Sequence, residues 1–238
     1  MRSLRLLTGP FLAKAFHSFL HRDCLCIVME YLPGGDFRRR LDQLGRFAPP
    51  LAQFYLAELA LALRDVHRTL VHRDLKPENV LYESEEPGAP LKLADFGVSR
   101  IRTHPQEALS TVVGSASYRA PEVARGQSYT EKCDIYSAGV ILYVLLCGFP
   151  PFDEEDTHSL AAAERGELAF PAPEWEGVSP AVRALVAQMM HPRADCRPSA
   201  QEALLHPFLA GEPRSGQLRS VASNLGSYSA RRKRVSLP

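Results

Sequence analysis

Between Asp134 and Cys147 the sequence DIYSAGVILYVLLC leaves no polar stripe on any side of a helix. A helix that is apolar all round has to be enclosed by other elements, so the rest of the chain must pack around it. Its longest apolar run, Ala138 to Cys147, stops at Gly148 and Pro150-Pro151, short of the ~20 residues that cross a bilayer. The stretch therefore predicts the central helix of a folded domain, and no membrane partner is expected.

The flanking segments supply the enclosure. Leu12 to Phe19 and Cys24 to Met29 are short apolar runs separated by His21-Arg22-Asp23, which reads as a β-hairpin. Pro33-Gly34-Gly35 breaks the chain, and Asp36 is a good cap for a short helix through Leu44. Leu51 to Thr69 predicts a long helix with Tyr55, Leu59, Ala62 and Val66 on one face. Val80-Leu81-Tyr82 and Leu91-Lys92-Leu93 are short apolar pieces on either side of a polar loop. Residues 96–121 have no clear periodicity, and a loop of that size is usually functional or disordered. Helical patterns return at 156–165, 179–190 and 199–205. After Phe208 the composition turns to Gly, Ser and Arg, so a domain is expected over 1–210 and a basic tail over 211–238.

Apolar residues make up 45% and charged residues 23% of the 238-residue chain, which predicts a folded protein. Six basic residues against Glu212 alone give 211–238 a net charge of +5 and leave 1–210 at −4. An acidic body with a basic tail suits a protein that handles basic peptides, although a solvated tail would look the same. The five cysteines are scattered, with neither metal-ligand nor disulfide spacing, so a reducing compartment is expected. The first residues have no long apolar core or cleavage site, so no signal peptide is expected. The location is expected to be cytoplasmic, with a nuclear one left open by the basic tail. No nucleic-acid partner is expected.

Phosphoryl transfer needs metal-held phosphates, a carboxylate beside the attacking hydroxyl, and positive charge where negative charge develops. His72-Arg73-Asp74-Leu75-Lys76-Pro77-Glu78-Asn79 and Asp95-Phe96-Gly97 carry such groups. Asn79 and Asp95 are hard oxygen donors suited to Mg²⁺, and Lys76 is a compact charge suited to phosphate. Either string alone is weak. Followed in order by Ala120-Pro121-Glu122, they closely resemble the motif set of eukaryotic-type serine/threonine protein kinases. The resemblance runs from about Ser3 to Leu209, and three stretches are most similar to the calcium/calmodulin-dependent group. These are Gly34-Gly35-Asp36, the sequence around Asp134, and RPSAQEALLHPFL (197–209).

The resemblance implies an α+β, predominantly helical fold: the C-terminal lobe of a protein kinase with a residual β-hairpin from the N-terminal lobe. It implies ATP and Mg²⁺ as cofactors and protein substrates with basic residues near the acceptor. Asp74 would orient and deprotonate the substrate hydroxyl, Lys76 would neutralise the γ-phosphate, and Asn79 and Asp95 would hold Mg²⁺. Met29, Glu30 and Leu32 fall in the hinge that contacts adenine, with Met29 at its gatekeeper position and Leu81 beneath the base. Asp36 falls at the rim of the same site, and with Glu78 it stands where related kinases recognise Arg on the substrate. Thr111 occupies the family's usual phosphosite beside Ser110, with Arg73 as its phosphate partner. Glu122 and Arg197 would form a buried ion pair, Asp134 would hold the catalytic loop, and Phe96 would stack on His72.

The chain also departs from the family. The glycine-rich loop, the strand with the phosphate-binding lysine and that lysine's glutamate partner do not appear. Lys14 is the only lysine before Lys76, and its place on the hairpin argues against a substitute role. Losing one such charge-stabilising group costs ~10²–10³ in rate, so the 238-residue chain by itself is expected to be weakly active or inactive. The chain would be a truncated or fragmentary kinase, a catalytically impaired kinase-like binding or regulatory module, or a lobe completed by another chain. Residues 225–237 (LGSYSARRKRVSL) are similar to segments that bind calmodulin, which makes calmodulin a candidate partner of 211–238.

Overall fold

The computed structural model describes residues 8–22, 24–101, 109–153 and 155–210. The hairpin forms from β1 (Ala15–His21) and β2 (Cys24–Met29), paired antiparallel from His21 opposite Cys24 to Ala15 opposite Met29. Its apolar start does not all enter the strand. Phe11 and Ala13 instead bond through their main chain to Leu93 (2.8 and 2.9 Å), and Leu12 is buried in the core. Burial of Leu12 is what draws those residues away from the hairpin, and it ties the hairpin to the helical body. Phe16, Leu20 and Val28 remain exposed on the hairpin.

The body is built from α1 (Phe37–Leu44), α2 (Pro49–Val66), α3 (Pro121–Ala124), α4 (Lys132–Cys147), α5 (Thr157–Arg165), α6 (Pro180–Met189), α7 (Ala200–Leu204) and α8 (Pro207–Ala210). Among the described residues the strands pair two by two: the hairpin, β3 (Leu70–Val71) with β6 (Arg100–Ile101), and β4 (Val80–Tyr82) with β5 (Leu91–Leu93). The first long helix starts two residues earlier than its periodicity predicts, because Pro49 and Pro50 fit a first turn whose N–H groups are unpaired anyway. It ends at Val66 rather than Thr69, since Leu70 and Val71 leave to pair with β6.

Every residue of α4 from Cys133 to Cys147 is buried, as its all-round apolarity requires. It packs against α2 on one side and α6 on another, and α2 also carries α7. Gly148 ends α4 in the left-handed region (φ 96°), its N–H returning to Val144 O at 2.7 Å. A side chain there would also run into Gly45 O, 2.5 Å from the Cβ position, so glycine is required on two counts. Helix starts are marked where Asp156 accepts from His158 and Ser159 N–H, and where Ser199 and Glu202 form a capping box. The core is rich in aromatics: Phe37, Phe47, Tyr55 and Tyr82 meet beneath α1, and Tyr143, Phe170 and Trp175 meet beside α4. Among the described residues no helix is long and apolar enough to cross a membrane. The tail, 211–238, lies outside the described residues.

Candidate active site

The site is assembled on the buried helix. Asp134, in the first turn of α4, is 1% exposed, and its carboxylate accepts from three donors. These are His72 N–H (2.8 Å to Oδ2), Arg73 N–H (2.8 Å to Oδ1) and His67 Nε2 (2.9 Å to Oδ2). Burial alone would raise the Asp134 carboxyl, but the His67 hydrogen bond, the neighbouring imidazoles and the Arg73 N–H outweigh it and hold the group below its ordinary range. This anchor fixes a loop with unusual backbone: Arg73 has φ 71°, costly for a non-glycine residue and sustained here by the two main-chain bonds. His72 is buried, with Nε2 2.9 Å from Ala94 O. Its ring meets Phe96 edge-on (5.0 Å, 61°), not stacked as the sequence reading has it. Edge-to-face packing suits the ring quadrupoles better than a sandwich.

Asp74 projects from this loop. Its Oδ1 accepts from Ser115 N–H (2.8 Å) and Ser115 Oγ (3.0 Å), and its Oδ2 lies 3.0 Å from Lys76 Nζ. Lys76 Nζ also donates to Ser115 Oγ at 3.0 Å. Asn79 Nδ2 donates to Asp74 O (2.7 Å) and lies 3.4 Å from Asp74 Oδ2. Burial pushes the Asp74 carboxyl up, yet the hydrogen bonds from Lys76 and Ser115 prevail and keep it below its ordinary value. Asp74 is therefore an anion at neutral pH, set between a cation and a hydroxyl.

The second loop is stitched to the first. Ala94 N–H donates to Asn79 O (2.9 Å), and the next residue, Asp95, has φ 57° with its Oδ1 accepting from Gly97 N–H at 3.1 Å. Asp74, Lys76 and Asn79 are thus in direct contact, with Asp95 one residue beyond a main-chain bond to Asn79. Asp95 also lines a small pocket of about 70 Å³ with Met29, Ala13, Ile27 and Phe96.

The hinge residues are placed differently from one another. Met29 and Leu32 are half-buried. The Glu30 side chain is turned back onto the hairpin, accepting from Lys14 N–H (2.7 Å) and lying 3.6 Å from Lys92 Nζ. Asp36 and Leu81 meet in a β-bridge, so the rim and floor of the site are adjacent. The Asp36 carboxylate caps α1, accepting from Arg39 N–H at 2.7 Å. Lys14 Nζ sits over the Phe16 ring, 5.3 Å from its centre. Thr111 is exposed, and its carbonyl accepts from Tyr129 OH (2.8 Å), which in turn receives Arg73 Nη1 (3.4 Å).

A groove of about 610 Å³ leads away from Lys76, Asn79 and Ser115, with Arg38, Glu78 and Tyr118 among its walls. Two participants escape sequence reasoning. Arg38 belongs to a run of three arginines on a surface helix, where charge alone says nothing of position. His67 sits at the end of α2 with no motif around it, and its only signal is its place five residues before His72.

An ordered pair of motif loops held by a buried helix thus brings together an anion, a cation and oxygen donors. The protein kinase domain family matches residues 1–209, and the chain belongs to that family. Its similarity lies with the calcium/calmodulin-dependent kinase group. It is 34% identical over 230 residues to the calcium/calmodulin-dependent protein kinase cmkA of Emericella nidulans, covering 96% of this chain and 55% of the relative. It is 33% identical over 213 residues to the type 1 calcium/calmodulin-dependent protein kinase of Caenorhabditis elegans (89% and 61%). It is 36% identical over 204 residues to MAP kinase-activated protein kinase 2 of Drosophila melanogaster (82% and 56%). The chain thus spans little more than half the length of these relatives.

Proposed function

We propose that the chain is the large lobe of a serine/threonine protein kinase, transferring the γ-phosphoryl group of ATP to hydroxyls of protein substrates. The observation that carries this reading is the cluster of Asp74, Lys76 and Ser115, with pairwise contacts of 2.8–3.0 Å. Asp74 orients the substrate hydroxyl and takes its proton as the oxygen attacks. Lys76 supplies positive charge beside it. The amide oxygen of Asn79 and the carboxylate of Asp95 form a hard oxygen donor set that fits Mg²⁺. Bound ATP with Mg²⁺ would supply the transferred phosphoryl group and offset its charge. Met29, Glu30 and Leu32 would frame the adenine, over Leu81 and beside Asp36.

A second reading, a kinase-like module with impaired catalysis, rests on Lys14. Among the described residues before Asp74 no other lysine is present, and Lys14 is engaged on Phe16. Calorimetric titration with ATP and Mg²⁺, on the chain and on Asp95→Ala, tests the first reading. Mg²⁺-dependent binding that is lost in the variant supports it, and binding indifferent to Asp95 overturns it. Turnover near ~1 s⁻¹ in a radiolabelled-ATP assay would sink the second.

Calmodulin is proposed as a partner through residues 225–237, on their similarity to calmodulin-binding segments and on the names of two of the relatives. A pull-down on 211–238 with and without calcium checks it, and failure to bind with calcium present removes it. Of the two acids proposed to read basic substrate residues, Asp36 already spends one oxygen on its helix cap, which leaves Glu78 as the main contributor.

A further inference from the structure

Arg38 gives the groove a charge that the recognition of basic peptides does not require. It lies in the first turn of α1, and its side chain is 51% exposed. Asp42, one turn on, engages its Nε at 3.1 Å, and the Tyr118 hydroxyl on the groove wall is a second hydrogen-bond neighbour of the guanidinium. Tyr118 and Glu78 face it closely enough to add to the Asp42 hydrogen bond in holding its charge. The same groove reaches Lys76 and Ser115 at the other end. A peptide lying along this groove with its hydroxyl near Lys76 and Ser115 would meet the guanidinium.

The other two arginines of the run do not share this placement. Arg40 lies over the Tyr82 ring, 3.6 Å from its centre, and Arg39 gives its main-chain N–H to the Asp36 cap. Arg38 stands near Glu78, so the groove wall carries both signs of charge. Three charged side chains line it, Arg38, Lys76 and Glu78, and of its two cations Lys76 is already held by Asp74 at 3.0 Å, so Arg38 is the one the groove presents to a peptide.

We infer that Arg38 is a specificity-determining residue that selects acceptor peptides carrying an anionic side chain, carboxylate or phosphoryl, near the acceptor hydroxyl. The inference rests on the kinase reading of the same site. A guanidinium offers two parallel donors that match the oxygens of either anion, which a basic flank cannot use. Glu78 keeps a place for a basic residue in the same peptide, so the preferred substrate is of mixed charge.

The test is fluorescence anisotropy of the whole chain with labelled serine peptides. Each position flanking the serine is in turn Ala, Glu, phosphoserine or Arg, and the proteins are the parent, Arg38→Gln and Arg38→Glu. Circular dichroism shows whether each variant is folded, and Arg38→Gln serves if Arg38→Glu is not. At one flank position the parent should bind the Glu or phosphoserine peptide about 5-fold more tightly than the Ala peptide, a partly exposed charged contact. The preference should vanish in Arg38→Gln and pass to Arg in Arg38→Glu. Tighter binding of phosphoserine than Glu identifies a phosphoryl group as the source, and parity identifies a carboxylate. Peptides that bind without charge preference, or that favour Arg at every position in the parent, overturn the inference alone. If no peptide binds, the inference falls together with the kinase reading of the groove.

Discussion

Arg197 and Glu122 face each other through two parallel hydrogen bonds, Nη1 to Oε1 at 2.6 Å and Nη2 to Oε2 at 2.7 Å, in the interior of the helical body. The guanidinium, on the chain just before α7, also donates to the carbonyls of Lys132, His191 and Pro192. It therefore clamps the end of the motif loop at α3 to the start of α4 and to the segment after α6. Removing one partner of a buried pair strands the other charge, at ~3–5 kcal/mol. Arg197→Ala should lower unfolding stability by about that amount in a urea titration. Arg197→Lys should recover little, because one ammonium cannot serve five acceptors in a plane. A loss under ~1 kcal/mol in Arg197→Ala would show that the clamp is not an element of stability.

Glu58 provides a pH signal. It is 8% exposed on α2 and accepts from Leu91 N–H at 2.9 Å, which pins β5 to the helix. Burial pushes its carboxyl from 4.5 up to about 7, with Glu83 adding to the rise and the Leu91 bond opposing it. Between these values the folded chain keeps a proton that the unfolded chain has released. Stability therefore falls as pH rises through that window, by roughly 3 kcal/mol in all, and levels off above it. Glu58→Gln keeps an acceptor for Leu91 and cannot ionise. It should match the parent near pH 5 and exceed it by roughly 2–3 kcal/mol near pH 8. Parallel stability curves for the two proteins would contradict the assignment.

Much of this was readable in the sequence because the constraints there were local. All-round apolarity placed α4, proline and glycine placed the breaks, and short motifs placed Asp74, Lys76, Asn79 and Asp95 on two loops. The positions of those loops relative to each other were not local. They depend on Asp134 reaching back to His72 and Arg73 across about sixty residues, and on Asn79 bonding to Ala94. The diversion of Leu12 into the core was hidden for the same reason. An alternating apolar run specifies a strand but not its partner, and Leu93 proved a better one than the hairpin. The cap that Asp36 makes with the Arg39 amide was local and legible, whereas the return of the Glu30 carboxylate to the Lys14 amide, sixteen residues away, was not.

The cysteines divide by environment. Cys24 and Cys196 are exposed, whereas Cys133 and Cys147 are buried in α4. Burial raises the Cys133 thiol far above its ordinary value, and it raises Cys147 to about 11. The thiolate is the reactive form, so neither buried thiol should react at pH 8 while the chain is folded. Labelling with a chromogenic disulfide should show Cys24 and Cys196 reacting at once, and Cys133 and Cys147 reacting only when α4 is exposed by denaturant. Early modification of Cys133, read by peptide mass, would mean that α4 is not enclosed as described.

Asp134 offers the most direct check on how the site is held. Its carboxylate is the shared acceptor for His72 N–H, Arg73 N–H and His67 Nε2, and Arg73 has a backbone conformation that needs such support. Asp134→Ala removes all three bonds. At ~1.5–3 kcal/mol for each hydrogen bond to a charged group, the loop should open before the body unfolds. Hydrogen exchange at the amides of His72 and Arg73 should then accelerate by orders of magnitude, while amides within α2 lose far less protection. The same carboxylate sets an acid limit. Its folded value lies below the ordinary 3.8, so it contributes stability above that pH and loses the contribution as pH falls through the lower folded value. A parent protein whose stability drops on acidification below pH 4, and an Asp134→Ala variant that drops less steeply, is the expected pair of results. Unchanged exchange at His72 and Arg73 in the variant would mean that something other than Asp134 holds the loop.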